Sequence, residues 1–169
     1  MSQIVSTEPT LDQKSIEKYV LSLQRGIAIR NNFVPDPEQE KMLKEKQFNG
    51  KILILGAGWC GDCSQVIPVI YKFFGSSIPV KILYREQHPM LMQQFLTNGT
   101  DSIPIVIFMN SQYKLLCHWG PRTRHGNHLL QRFKSNPENY PRETFLQDLH
   151  AYYDENQGFD IIAEILSIL

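Results

Sequence analysis

The sequence is poor in cysteine and has no excess of charge of either sign. Its 169 residues include three cysteines, and 17 Lys and Arg residues balance 17 Asp and Glu residues. Three cysteines are too few for a secreted disulfide scaffold, and a chain of this length can bury a core without covalent or metal cross-links. A nucleic-acid-binding protein typically has a basic excess, so we expect no nucleic-acid partner.

Long apolar runs are also missing. The longest, Ile52–Leu55 and Ile103–Met109, are far shorter than the roughly 20 residues that span a bilayer, so we expect no membrane partner. Residues 1–8 have no basic stretch and no long apolar stretch, which predicts no signal peptide and a cytoplasmic location.

Helical patterns flank a central stretch of alternating strands and helices. We predict one domain over residues 1–169, with a helical N-terminal extension (1–49), a core (50–135) and C-terminal helices (136–169). In the extension, apolar residues recur at the spacing of an amphipathic helix: Ile16, Tyr19, Val20, Leu23 and Ile27. In the C-terminal helices, similar positions are expected to pack on the domain, with a dimer surface as the alternative.

The core has the predicted order β-α-β-α-β-β-α, which indicates a mixed-sheet α/β sandwich. The predicted strands are Lys51–Leu55, Pro79–Glu86, Pro104–Met109 and Tyr113–His118. The first two crossovers predict parallel pairs, and the short connection before the last strand predicts an antiparallel hairpin.

A C-x-x-C motif, Trp59-Cys60-Gly61-Asp62-Cys63, follows the first predicted strand. A helix that starts there has Cys60 at its N-terminus, where free backbone N–H groups and the helix dipole favour a thiolate. Cys63 lies one turn along the same face and can form a disulfide with Cys60. We therefore expect Cys60 to be an exposed nucleophile that attacks a substrate disulfide, and Cys63 to resolve the mixed disulfide.

The cysteine pair has two possible roles other than redox chemistry. The pair could be ordinary buried thiols or half of a zinc site, but a structural zinc site needs about four ligands and the sequence has no second C-x-x-C. We therefore predict no metal and no prosthetic group, the Cys60–Cys63 disulfide being the redox group. Cys117 lies in the middle of a predicted strand and is expected to be a small buried apolar residue rather than a regulatory thiol.

These residues together resemble the thioredoxin family over roughly residues 50–135. The resemblance rests on the motif after an apolar strand, Pro68 in the following helix, Ile103-Pro104 before the hairpin and Gly120 after it. It is greatest to bacterial members with a W-C-G-D-C motif and a helical N-terminus. The resemblance implies a cis peptide bond before Pro104, and backbone groups of Ile103 that bind an extended substrate segment. Trp59 and Gly61 are expected to shape the same site.

The sequence departs from the family pattern at three positions. Asp62 stands where typical thioredoxins have Pro, while Ile54 and Ile82 replace the acid and the lysine that usually help to move the proton of the resolving cysteine. Asp62 is therefore the expected acid–base group. Its charge also opposes a Cys60 thiolate, so we expect a pKa of Cys60 that is not strongly depressed, and a reductant rather than an oxidant.

Charge is distributed unevenly along the last third of the chain. Residues 111–134 contain Lys and Arg but no acid, whereas residues 135–169 contain one Arg and mainly acidic charged residues. We expect the acidic C-terminal helices to satisfy the basic segment; the alternative is that the basic segment selects an acidic partner.

The expected function is that of an enzyme, a protein-disulfide reductase whose partners are protein disulfides and an external thiol reductant. Two alternatives stay open. One is a binding module that docks partners beside Pro104 with little redox turnover, and the other is a disulfide oxidase or isomerase. The sequence leaves the oligomeric state open.

Overall fold

The computed structural model describes residues 13–169, so the first twelve residues of the predicted N-terminal extension lie outside the described residues. The strands are β1 (Lys51–Gly56), β2 (Val80–Tyr84), β3 (Ile105–Met109) and β4 (Leu115–Trp119). The helices are α1 (Gln13–Asn32), α2 (Pro37–Lys46), α3 (Gly61–Phe74), α4 (Pro89–Met92), α5 (Arg124–Ser135), α6 (Arg142–Asn156) and α7 (Phe159–Ile168). Short 3₁₀ turns at Arg85–Gln87 and Gln93–Phe95 flank α4.

The four strands form one mixed sheet in the order β2-β1-β3-β4. β1 pairs with β2 in parallel, and β3 pairs with both β1 and β4 antiparallel. The predicted α/β class, the mixed sheet and the antiparallel β3–β4 hairpin are therefore confirmed. Together with the helices at both ends, the structure is a thioredoxin-like fold with additional helices.

The predicted parallel crossover from β2 to β3 is wrong. β3 runs antiparallel to β1 and begins where β1 ends, since Leu55 lies opposite Ile105. A parallel crossover must carry the chain back along the whole sheet. The four-residue helix α4 rises only about 6 Å, whereas a five-residue strand spans about 16 Å. The connection therefore stays at the end of the sheet where β2 finishes.

Both faces of the sheet are covered by apolar side chains. On one face, Ile52 and Ile54 of β1 pack in a large cluster with residues of α3, α6 and α7. On the other face, Leu55 packs in a smaller cluster that contains Met92 and both cysteines of the motif. The C-terminal helices bury the predicted apolar positions in the large cluster: Phe145, Leu149, Tyr153, Ile161, Ile162, Ile165 and Leu166.

The predicted helix at the N-terminal end is confirmed as α1, but its apolar stripe is not a core face. The exposed fractions of Ile16, Val20 and Leu23 are 43%, 46% and 62%. α1 instead approaches α3 through small residues, with Gly26 against the Ser64 backbone. Within residues 13–169, no helix combines the length and apolar character needed to cross a membrane.

Candidate active site

Cys60 is the N-cap residue of α3, as the sequence predicts. Its sulfur accepts a hydrogen bond from the Cys63 backbone N–H at 3.3 Å and lies 3.5 Å from the Ile103 carbonyl oxygen, to which its thiol donates. The predicted exposure of Cys60 is wrong, because only 8% of the residue is exposed. Cys60 belongs to the smaller apolar cluster together with Ile103.

The two cysteines of the motif are free thiols with opposite environments. Hydrogen bonds from the Cys63 thiol and amide hold the pKa of Cys60 below its ordinary value, although burial and the Asp62 charge act in the opposite direction. Burial, together with the neighbouring Cys60, raises the pKa of Cys63 well above its ordinary value. Of the two, Cys60 therefore ionises first and Cys63 retains its proton. The sign of the Asp62 effect is the one that the sequence predicts.

The peptide bond between Ile103 and Pro104 is cis, which confirms the conformation implied by the resemblance. A second cis peptide bond, between Gly120 and Pro121, was not predicted. Gly120 has a φ of 126°, and a Cβ atom there would collide with the Pro104 carbonyl oxygen. The chain after β4 therefore passes directly against Pro104, and the Arg122 side chain, two residues after Gly120, reaches the cysteine motif.

Arg122 forms an ion pair with Asp62 across 2.5 Å, and the two side chains are 18% and 11% exposed. Burial raises the pKa of the Asp62 carboxyl, while the Arg122 guanidinium acts in the opposite direction. The Tyr153 hydroxyl also faces this carboxyl and acts on its pKa, although the two groups lack hydrogen-bond geometry.

From the sequence, Arg122 belongs only to the basic segment 111–134, and Tyr153 only to the apolar positions of the C-terminal helices, so neither contact with Asp62 was predicted. Gly120-Pro121 directly before Arg122 was the available signal, because such a pair marks a fixed turn after a strand.

The remaining site residues lie around the cysteines. Trp59 is 39% exposed, and the Arg85 guanidinium lies over its ring, 5.1 Å from the centroid. Gly61 is exposed and has open space where a Cβ atom would stand. Ile54 is fully buried and lies opposite Ile82 of β2, so an apolar pair occupies the place of the usual acid and lysine.

A cavity of about 510 Å³ opens beside Cys60 and brings the predicted residues together. It is lined by Trp59, Cys60, Gly61, Asp62 and Ile103. Arg25 of α1 and Tyr153 of α6 also line it. Cys63 and Pro104 are buried and are not among the residues that line it. A neighbouring cavity of about 610 Å³ between α1, α3 and α6 contains no cysteine, and it shares five lining residues with the first: Arg25, Gly61, Gln65, His150 and Tyr153.

The basic segment is not neutralised by ion pairs with the acidic helices. Within residues 13–169, no ion pair shorter than 4.0 Å joins residues 111–134 to an acid of residues 135–169. One link between the two stretches is Glu164 of α7, which accepts hydrogen bonds from Trp119 Nε1 at 2.9 Å and from the Arg124 backbone N–H at 2.8 Å.

Cys117 lies in β4, half-buried against the large cluster, and burial raises its pKa. Cys117 is therefore less buried than predicted, and its role as a small apolar residue stays a prediction. In the described part of the chain, no three His, Cys, Asp or Glu side chains are grouped so that they could hold a metal ion.

The fold and the cysteine site together define a thioredoxin-like protein. A family model described as Thioredoxin matches residues 10–134. The chain belongs to this thioredoxin family. No curated protein matches the sequence significantly.

Two solved structures share the fold. One is a protein of unknown function from Pseudomonas aeruginosa, which is 18% identical with a TM-score of 0.61, over 94% of this chain and 85% of that chain. The other is an HIV epitope-scaffold, which is 15% identical with a TM-score of 0.54, over 94% of this chain and 86% of that chain. At these identities the likeness concerns the fold alone.

Proposed function

We propose that this protein is a thiol–disulfide oxidoreductase that reduces protein disulfides through Cys60 and Cys63. The observation that carries the proposal is the asymmetry of the pair. The Cys60 sulfur receives the Cys63 N–H at the start of α3, beside the Ile103–Pro104 bond, while Cys63 is more deeply buried and retains its proton. A nucleophile and a protected resolving thiol are the two groups that dithiol–disulfide exchange requires.

The exchange proceeds in two balanced steps. The Cys60 thiolate attacks one sulfur of the substrate disulfide, forms a mixed disulfide and releases the other substrate sulfur as a thiolate, which takes up a proton. Cys63 then loses its proton and attacks the Cys60 sulfur, which releases the second substrate thiol. The substrate gains two electrons, and the protein is left with a Cys60–Cys63 disulfide that an external dithiol must reduce. No prosthetic group takes part, and a reducing compartment such as the cytoplasm fits this direction.

Asp62 is the proposed acid–base group for the second step, in place of the acid that Ile54 replaces. It directly precedes Cys63, and burial raises the pKa of its carboxyl, which makes the carboxylate a stronger base than that of a solvated aspartate. In Asp62→Asn, release of the second substrate thiol is expected to slow on the order of 10²-fold. An unchanged rate and pH profile of that release would remove Asp62 from the mechanism.

Turnover tests the function itself. We expect the reduced protein, with excess dithiothreitol, to reduce a fluorophore–quencher peptide disulfide catalytically. Cys60→Ser is expected to abolish this catalysis, whereas the matched control Cys117→Ser retains it. Catalysis that persists in Cys60→Ser would contradict the proposal.

A binding module without redox turnover is the second candidate, favoured by the apolar Ile54–Ile82 pair in place of the usual proton relay. This alternative predicts that wild type binds extended peptides beside Pro104 without turning over their disulfides. An oxidase or isomerase would instead introduce or rearrange disulfides in a reduced peptide faster than it reduces them, so the same assay run in both directions distinguishes the three.

A further inference from the structure

The cavity beside Cys60 contains more cations than carboxylates. Its cationic lining residues are Lys18, Arg25, Arg85, Arg122 and Arg142. Its carboxylates are Asp62 and Asp101, and each already has an arginine partner, at 2.5 Å for Arg122 and 3.4 Å for Arg85. The cavity therefore keeps a positive charge after its internal pairs are counted.

The cations of the cavity that lack an ion-pair partner among residues 13–169 come from two helices, α1 and α6. Lys18 of α1 and Arg142 at the start of α6 form no ion pair within 4.0 Å to any residue from 13 to 169. Arg25 pairs only with Asp154, whose side chain is 69% exposed, and water screens such a pair strongly. A ligand carboxylate between these helices therefore meets cations that no buried acid neutralises.

The wall of the cavity formed by α5 and α6 is apolar. It is made by Leu130, Phe133, Phe145, Leu146 and Leu149. A volume of about 510 Å³ is large enough for several side chains of a peptide, whereas a single ion needs far less. Cations beside an apolar wall, next to the Cys60 sulfur, suit an extended peptide with an acidic side chain.

We propose that this cavity binds the peptide segment next to the substrate disulfide and selects segments that place a carboxylate side chain within a few residues of the attacked cysteine. The inference rests on the proposed function, because it names the substrate of the same cysteine site. The carboxylate forms no bond in the exchange; it holds the disulfide beside the Cys60 sulfur. This selection does not depend on the basic segment 111–134 as a whole, since only Arg122, Leu130 and Phe133 of that stretch line the cavity.

The test compares three peptide disulfides that differ at one position beside the cysteine, which is Glu, Gln or Lys. We expect rates in the order Glu, Gln, Lys, with the Glu peptide reduced about tenfold faster than the Gln peptide at low salt. The preference is expected to shrink at 0.5 M salt, because screening shortens the reach of the cations.

A charge-matched pair of variants locates the effect. Lys18→Gln/Arg142→Gln is expected to remove most of the Glu preference. The control Lys81→Gln/Lys114→Gln removes the same charge from exposed residues outside the cavity and is expected to preserve the preference. Equal rates for the Glu and Gln peptides on wild type, or an equal loss of preference in both variants, would overturn the inference while the proposed function stands.

A binding measurement separates the inference from the proposed function. Cys60→Ser/Cys63→Ser is titrated with the same peptides carrying Ser in place of Cys, and tryptophan fluorescence reports binding. Tighter binding of the Glu peptide without any disulfide reduction by wild type would refute the proposed function and leave an acid-selective peptide site. Neither reduction nor a binding preference would overturn both.

Discussion

At the scale of single residues, the environment of each cysteine decides what it can do. The Cys60 sulfur accepts a hydrogen bond from the Cys63 N–H, whereas Cys63 is enclosed by apolar neighbours in the smaller cluster. Asp62 lies between them and pairs with Arg122 rather than standing free in solvent. A motif of five letters indicates the reactive pair, but the partner of Asp62 comes from a part of the chain that the motif does not contain.

The pKa of Cys60 is a testable consequence of these contacts. In a Cys117→Ser background, alkylation of Cys60 by iodoacetamide is expected to rise with pH around a midpoint below the ordinary value of 9.0. Cys63→Ala should move the midpoint upward, because it removes the thiol that donates to the Cys60 sulfur. Asp62→Asn should move it downward, because it removes a charge that opposes the thiolate. A pH midpoint of alkylation that is the same in both variants as in the background protein would contradict the described contacts of Cys60 with Cys63 and Asp62.

At the scale of elements, the site is assembled from the ends of β1, β3 and β4. The position of α3 after β1 and the place of Pro104 before β3 could be predicted from the sequence. An apolar run, a break and a helical pattern are local signals. The direction of β3 could not be predicted, since it depends on whether the connection after β2 stays at the end of the sheet where β2 finishes or crosses back to the other end. The Arg122–Asp62 ion pair could not be predicted either, because it joins residues far apart in sequence and depends on the turn at Gly120, which positions Arg122.

Two glycines near the site should therefore differ sharply in their tolerance of substitution. Gly120→Ala is expected to destabilise the protein by at least about 2 kcal/mol, because Gly120 has a φ of 126° and a Cβ would meet the Pro104 carbonyl oxygen. Gly61→Ala is expected to change stability by no more than about 1 kcal/mol, since open space surrounds its Cβ position within a helix. Urea unfolding of the reduced proteins measures both. Similar free energies of unfolding for the two variants would refute this account of Gly120.

At the scale of the whole molecule, the two helical extensions contribute differently. The C-terminal helices bury their apolar residues in the large cluster, as the periodicity of residues 136–169 predicts. α1 has an equally regular apolar stripe, yet its side chains stay largely exposed. Periodicity identifies a helix and an apolar face, but which surface that face meets depends on tertiary packing.

Matched isoleucine truncations test this division. Ile165→Ala in α7 is expected to lower the free energy of unfolding by about 3 kcal/mol, because Ile165 is fully buried and its truncation leaves a cavity. Ile16→Ala in α1 is expected to change it by no more than about 0.5 kcal/mol, because Ile16 is 43% exposed. Equal losses would mean that the α1 stripe is part of the core.

Covalent trapping tests the central claim, nucleophilic attack by Cys60 on a substrate disulfide, most directly. The reduced Cys63→Ala protein is mixed with a peptide disulfide, and the adduct is located by mass spectrometry after digestion. We predict one peptide bound through a disulfide to Cys60, released by dithiothreitol, and none when Cys60→Ser is tested in parallel. No adduct, or an adduct on Cys117 with Cys60 left free, would contradict the account.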